Sequence, residues 1–366
     1  MKPLIAPALL LVTVSLVAQR ITLSPEEPVA PATLAAAYWG TTPVLARGGP
    51  GFLAIWQRDA YGTLEGARFN EDATLIDTTR IAIAPAPRAT RVALASDGRD
   101  SLAVYDVHEG GEATRCDAAF IAADGSVSIQ KGVRAGTTDG LALVWTGDHY
   151  LVGFADAQHR VKMMQLDRRG TPYGGEITIG TARAGDPFLR LAENGGAVLA
   201  VWQAAAQQIR GEYLLPSGEP SALAGTPFTI AGREPDVIRD GEQFALAWSD
   251  GGIRVARASR GAPRLLATIA DSSDGSAPRI ASEGGHFAIV WHYGHVRYGW
   301  TEMFAVLDSG GRRVHEEVLA SESPFFADFE VPEPPPAAII AREGSFVVLT
   351  ELVAVTLSRS TSWQPR

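Results

Sequence analysis

Four aspartates, Asp59, Asp106, Asp156 and Asp250, each follow within three residues an aromatic that closes an apolar run. Two kinds of chemistry suit a carboxylate that recurs in this way. It can accept N–H groups of its own turn, or it can join others in a ring that holds a cation or hydrogen-bonds sugar hydroxyls. His108 stands beside the second of these aspartates and His159 beside the third. The pattern is broken at His292-Tyr293-Gly294-His295 and Arg297-Tyr298-Gly299-Trp300, which lengthen one segment and fill it with rings. Aromatic faces with polar tips suit carbohydrate or peptide contacts. His292 and His295 have no third ligand near them in sequence, so no metal is assigned. The candidate ligand-binding residues are therefore Asp59, Asp106, His108, Asp156, Asp250, His292, Tyr293, His295, Tyr298 and Trp300. The segments that lead into each unit add Arg88, Asp186, Glu234 and Asp236 to the same side.

Catalytic patterns are missing. The chain has no Gly-x-Ser-x-Gly elbow, and Cys116, its single cysteine, has no histidine beside it. Its glycine pairs fall at hairpins rather than in a phosphate-cradling loop. Carboxylates for glycoside cleavage can be drawn from the aspartates above, as in any acidic protein. No catalytic residue and no cofactor is assigned.

The elements that must position these residues recur. The runs Phe52–Trp56, Leu102–Tyr105, Leu151–Phe154, Val198–Trp202, Phe244–Trp248, Phe287–Trp291 and Phe346–Thr350 end in an aromatic in six cases out of seven. Successive aromatics lie 49, 49, 48, 46 and 43 residues apart, the period of propeller blades. The runs are too short for helices and apolar at every position, which predicts strands buried on both faces. Hairpin glycines precede them at Asp97-Gly98, Asn194-Gly195, Asp240-Gly241, Glu283-Gly284 and Glu343-Gly344, with a shorter apolar strand upstream. Downstream, alternating segments such as Ile209–Tyr213 and Ile253–Arg257 predict a third strand nearer the rim. A fourth, such as Glu176–Gly180, follows a second turn.

The repeat resembles that of secreted bacterial β-propeller proteins, in which an Asp-Gly turn precedes a strand ending in Trp and a later Asp-x-x-Gly turn opens the outer strand. The resemblance implies architecture and not activity. The expected fold is all-β: a seven-bladed β-propeller of four-stranded antiparallel blades. The last blade would run out after a third strand at Val353–Leu357 and be completed by Arg20–Ser24 from the N-terminal end, because an open ring leaves unpaired sheet edges.

Composition bounds the rest. A net charge of −9 with only three lysines leaves no basic stripe for nucleic acid. Met1-Lys2 followed by an apolar stretch from Leu4 to Ala18 predicts a signal peptide over 1–18, with 19–366 as one propeller domain. An uncleaved anchor is the other reading of that stretch. A lone cysteine excludes an intrachain disulfide, so the fold must stand on packing. The expectation is an exported, periplasmic or extracellular monomer with no membrane span in its mature chain. It would be a non-catalytic binding or scaffold module for a protein or carbohydrate ligand. The alternative is a propeller hydrolase or lyase acting on polysaccharide with loop carboxylates as acid and base.

Overall fold

The structure, a computed structural model, describes residues 9–17, 20–23, 27–28, 43–57, 63–71, 74–77, 79–84, 91–109, 112–136, 138–269, 275–295, 299–321 and 337–351. It describes the backbone alone at 9–17, 20–23, 27–28, 109, 112–114, 295, 299–300, 320–321 and 350–351. Every regular element among them is a β-strand.

Each aromatic-ended run is a second strand, paired on both edges. In one blade Gln243–Ser249, which carries Phe244 to Trp248, lies between Arg233–Asp240 and Ile253–Ala258, with Arg264–Thr268 outermost. The second strand is buried almost throughout and the outermost is largely wetted, which explains why the first reads as a continuous apolar run and the second does not. The turns between them need glycine: Gly241 and Gly284 sit at φ +63° and +57°, where a Cβ would be strained.

Neighbouring sheets pack face to face. Leu151, Val161 and Met163 of one share a cluster with Val198, Ala200 and Trp202 of the next. Trp202 is fully buried and its Nε1 donates to Thr181 O at 2.8 Å. A large side chain buried in this way contributes about 1.5–3 kcal/mol, so stacking rather than covalent staples holds the fold. The first strands touch one another in cyclic order and surround a central channel.

The molecule is a β-propeller of four-stranded antiparallel blades, but among the described residues six such blades are present and not the expected seven. The remaining sheet has five strands and a different origin. Ser345–Glu351 pairs on one edge with Ala338–Arg342 and on the other with Leu9–Val17. Arg20–Leu23 and Glu27–Pro28 both pair with the outer edge of Leu9–Val17. The expected third strand at Val353–Leu357 lies outside the described residues, and its place beside Ser345–Glu351 is taken by the apolar stretch read as a signal. The physical reason is that a run of Leu and Val interleaved with Thr and Ser has the composition of a doubly buried strand as well as of an export segment. Arg20–Leu23 does reach this sheet, but through Leu9–Val17. Phe346 and Val348 pack against Val290 and Phe304, while Val347 and Leu349 pack against Phe52, Trp56 and Phe69.

Candidate functional site

The first strands begin on the side where the second strands end, so the mouth of the channel there is built from both. The channel holds a cavity of about 470 Å³, within the size range of small-ligand pockets. Its wall carries Arg91, Asp186, Arg190, Asp236 and Arg279. The last three occupy equivalent positions. Arg190, Asp236 and Arg279 pair with Val201, Ala247 and Val290, each just ahead of its tryptophan.

Carboxylates brace one sheet to the next at this mouth. Asp236 Oδ2 accepts the Ile280 N–H at 3.0 Å while its Oδ1 lies 3.5 Å from Arg190 Nε. Glu234 Oε2 accepts the Ala277 N–H at 2.7 Å, whereas Asp186 Oδ1 accepts the Phe188 N–H at 2.8 Å within its own connecting segment. Three successive approaches to the channel are strained. Phe188, Glu234 and Ala277 hold φ of +47°, +55° and +49°, and left-handed backbone at non-glycine residues persists only where its surroundings fix it.

The aspartates that follow the aromatics are engaged locally. Asp106 is fully buried; its Oδ1 accepts the Arg91 N–H at 2.8 Å and its Oδ2 lies 3.0 Å from His108 Nε2. Arg91 spans Asp106 and Asp139 at 3.7 and 3.6 Å. Asp156 Oδ1 accepts the N–H groups of Gln158 and Arg160, and its Oδ2 takes the Arg160 guanidinium at 2.8 Å. Burial works against the Asp156 charge, but Arg160 and those N–H groups outweigh it and bring the carboxyl down to about 2. The half-exposed Asp250 closes a turn, with its N–H on Gly252 O at 2.8 Å and Arg254 3.8 Å from its carboxylate. The structure thus spends Asp106 and Asp156 on holding turns and first strands.

Much of the segment from His292 to Trp300 is strand. Strand continues through His295 and resumes at Gly299, with His292 opposite Glu302, Tyr293 opposite Thr301, Gly294 opposite Trp300 and His295 opposite Gly299. His292 is buried and Tyr293 is 41% exposed. Arg58, Asp59, Arg88 and Tyr298 lie outside the described residues, and for His295 and Trp300 only the backbone is described. Among the described residues no group of three His, Cys, Asp or Glu side chains is placed to hold a metal ion. Nor is any helix among them long and apolar enough to cross a membrane.

Sequence reasoning found Asp186, Glu234 and Asp236 but missed Arg91, Arg190 and Arg279. The available signal was the recurrent Arg-apolar-Ala at 91–93, 190–192 and 279–281. It goes unnoticed because an arginine at a strand start reads as solvated until the ring closes around it.

No protein-family model matches the chain, and no curated protein does. Among solved structures the chain is similar to a prolyl endopeptidase, at 14% identity and a TM-score of 0.47, over 84% of this chain and 46% of that one. It is similar to Raptor from Chaetomium thermophilum, at 11% identity and a TM-score of 0.50, over 86% of this chain and 28% of that one. The six-bladed, fucose-recognising Aleuria aurantia lectin matches at 12% identity and a TM-score of 0.47, over 80% of this chain and 96% of that one. The chain spans less than half the length of the first two. At such identities the likeness concerns the propeller fold alone.

Proposed function

We propose that the protein is an exported, non-catalytic recognition module whose ligand enters the channel mouth, with carbohydrate as the favoured class. The observation that carries this reading is the charged wall of the cavity, where Arg91, Asp186, Arg190, Asp236 and Arg279 come together beside the strained backbone of Phe188, Glu234 and Ala277. Fixed donors and acceptors around a concavity suit ligands rich in hydroxyl groups. The mouth carboxylates Asp186, Glu234 and Asp236 each accept a backbone N–H, which supports fixed acceptors more than proton carriers. Export rests on the N-terminal Met1-Lys2 and the apolar stretch that follows.

The test is to incubate the full chain with a panel of neutral, acidic and amino sugars and to follow retention and product release together. Retention without turnover, weakened at least tenfold by Asp236→Asn, is the expected result. Product release, or retention that Asp236→Asn leaves unchanged, overturns the reading.

A further inference from the structure

Arg279 differs from the other cations of the channel wall. Arg91 has Asp106 and Asp139 beside it, and Arg190 has Asp236. Arg279 is 8% exposed and lines the cavity, yet the one hydrogen bond of its side chain among the described residues runs from an Nη to Pro278 O at 2.9 Å. No carboxylate among the described residues comes within salt-bridge reach of it. A guanidinium has five N–H donors in a planar fork, and most of this one's capacity is not taken up by the described residues.

Burial, reinforced by the neighbouring Arg190 charge, pushes the Arg279 pKa down to about 10, against the pull of Asp236, Asp186 and Glu234. A buried charge without a partner opposes folding. Its retention at a cavity wall is explained when the partner arrives from outside.

We infer that Arg279 is the anchor for a carboxylate of the ligand, so that the channel takes a uronate-type acid, one carboxylate flanked by hydroxyl groups. This rests on the channel-mouth reading above. A monovalent planar carboxylate matches the guanidinium fork in bidentate fashion. The carboxylates of Asp186, Glu234 and Asp236 nearby repel a dianion such as phosphate and accept from hydroxyls. The fork thus selects an acid sugar over a neutral one, and the surrounding negative charge selects it over a phosphate dianion.

Calorimetric titration of the full chain with D-glucuronate, D-glucose and inorganic phosphate tests the class. Glucuronate should bind at least tenfold more tightly than either of the others. Arg279→Gln should remove roughly 10- to 100-fold of that affinity, the equivalent of a lost charged hydrogen bond, with Arg279→Lys between the two. A second measurement needs no ligand: Arg279→Met should raise the melting temperature, because it relieves an unpaired buried charge. Glucuronate binding that Arg279→Gln leaves intact overturns the anchor. So does a melting temperature that Arg279→Met lowers, which would make the arginine structural. Equal binding of glucose and glucuronate, weakened by Asp236→Asn, overturns the acid class and leaves the channel-mouth reading standing.

Discussion

Nε2 of His292 lies 3.8 Å from Oε1 of Glu302, its direct antiparallel partner, and the same carboxylate oxygen accepts the Ala337 N–H at 3.2 Å. One buried side chain thus joins the hairpin of the sixth four-stranded blade to the sheet that closes the ring. Burial pushes the Glu302 carboxyl up to about 7, against the opposing influence of His292 and of the Ala337 N–H.

The native state therefore binds a proton at Glu302 more tightly than the unfolded chain, whose carboxyl titrates near 4.5. Stability should be greatest below about 4.5 with respect to this group, fall as pH rises from there to about 7, and level off above. Glu302→Gln keeps an acceptor for Ala337 and removes the dependence. It should raise stability at pH 8 by on the order of 1–3 kcal/mol and change little at pH 4. Denaturant melts of both proteins at the two pH values check this, and equal slopes against pH would refute it.

Asp156 works with the opposite sign. Its carboxyl is held at about 2 in the folded protein against 3.8 for an ordinary aspartate, so its contribution is complete above 3.8 and disappears as pH falls towards 2. Asp156→Ala leaves the N–H groups of Gln158 and Arg160 without their acceptor. It should cost about 2–3 kcal/mol at neutral pH, read as a lower denaturant midpoint with an unchanged slope.

Trp202 fills space that Gly180 leaves open. A Cβ on Gly180 would lie 2.6 Å from Cζ2 of the indole, so Gly180→Ala should destabilise by about 1–3 kcal/mol through overpacking. Trp202→Phe should also destabilise, because Thr181 O loses its donor. If the clash is the cause, combining the two should cost less than the sum of the single changes, since the smaller ring admits the methyl.

The N-terminal strand allows a direct test of what the apolar stretch does. Deleting residues 1–18 removes the partner of one edge of Ser345–Glu351 and of Arg20–Leu23. Hydrogen exchange at Ser345–Glu351 should then rise by at least tenfold while Gln243–Ser249 stays protected. Unchanged exchange would show that the sheet closes without that strand. N-terminal sequencing of the protein isolated from its native cells would show whether processing removes it.

Much of the fold was legible because the second strands are runs of apolar residues that recur at a near-constant spacing, as Val198–Trp202 and Phe244–Trp248 show. That Leu9–Val17 pairs as a strand could not be read from sequence, because apolarity marks burial without naming the partner: an export segment and a buried strand look alike at that length. How far strand extends into His292–Trp300 could not be read because glycines and rings obscure alternation. At the site, Asp186, Glu234 and Asp236 were visible as charges on turns, whereas Arg279 acquires its character only from assembly. Neither its burial nor its lack of a carboxylate partner among the described residues can be read from neighbours in sequence.

The closing sheet also fixes how the molecule would respond to tension. Leu9 stands opposite Glu351 and Ser15 opposite Ser345, so the two chain ends leave this ladder from the same side. A load drawn between them would peel the ladder rung by rung instead of shearing all rungs together. The ring would yield first at its clasp, at low force, while the blades remained intact.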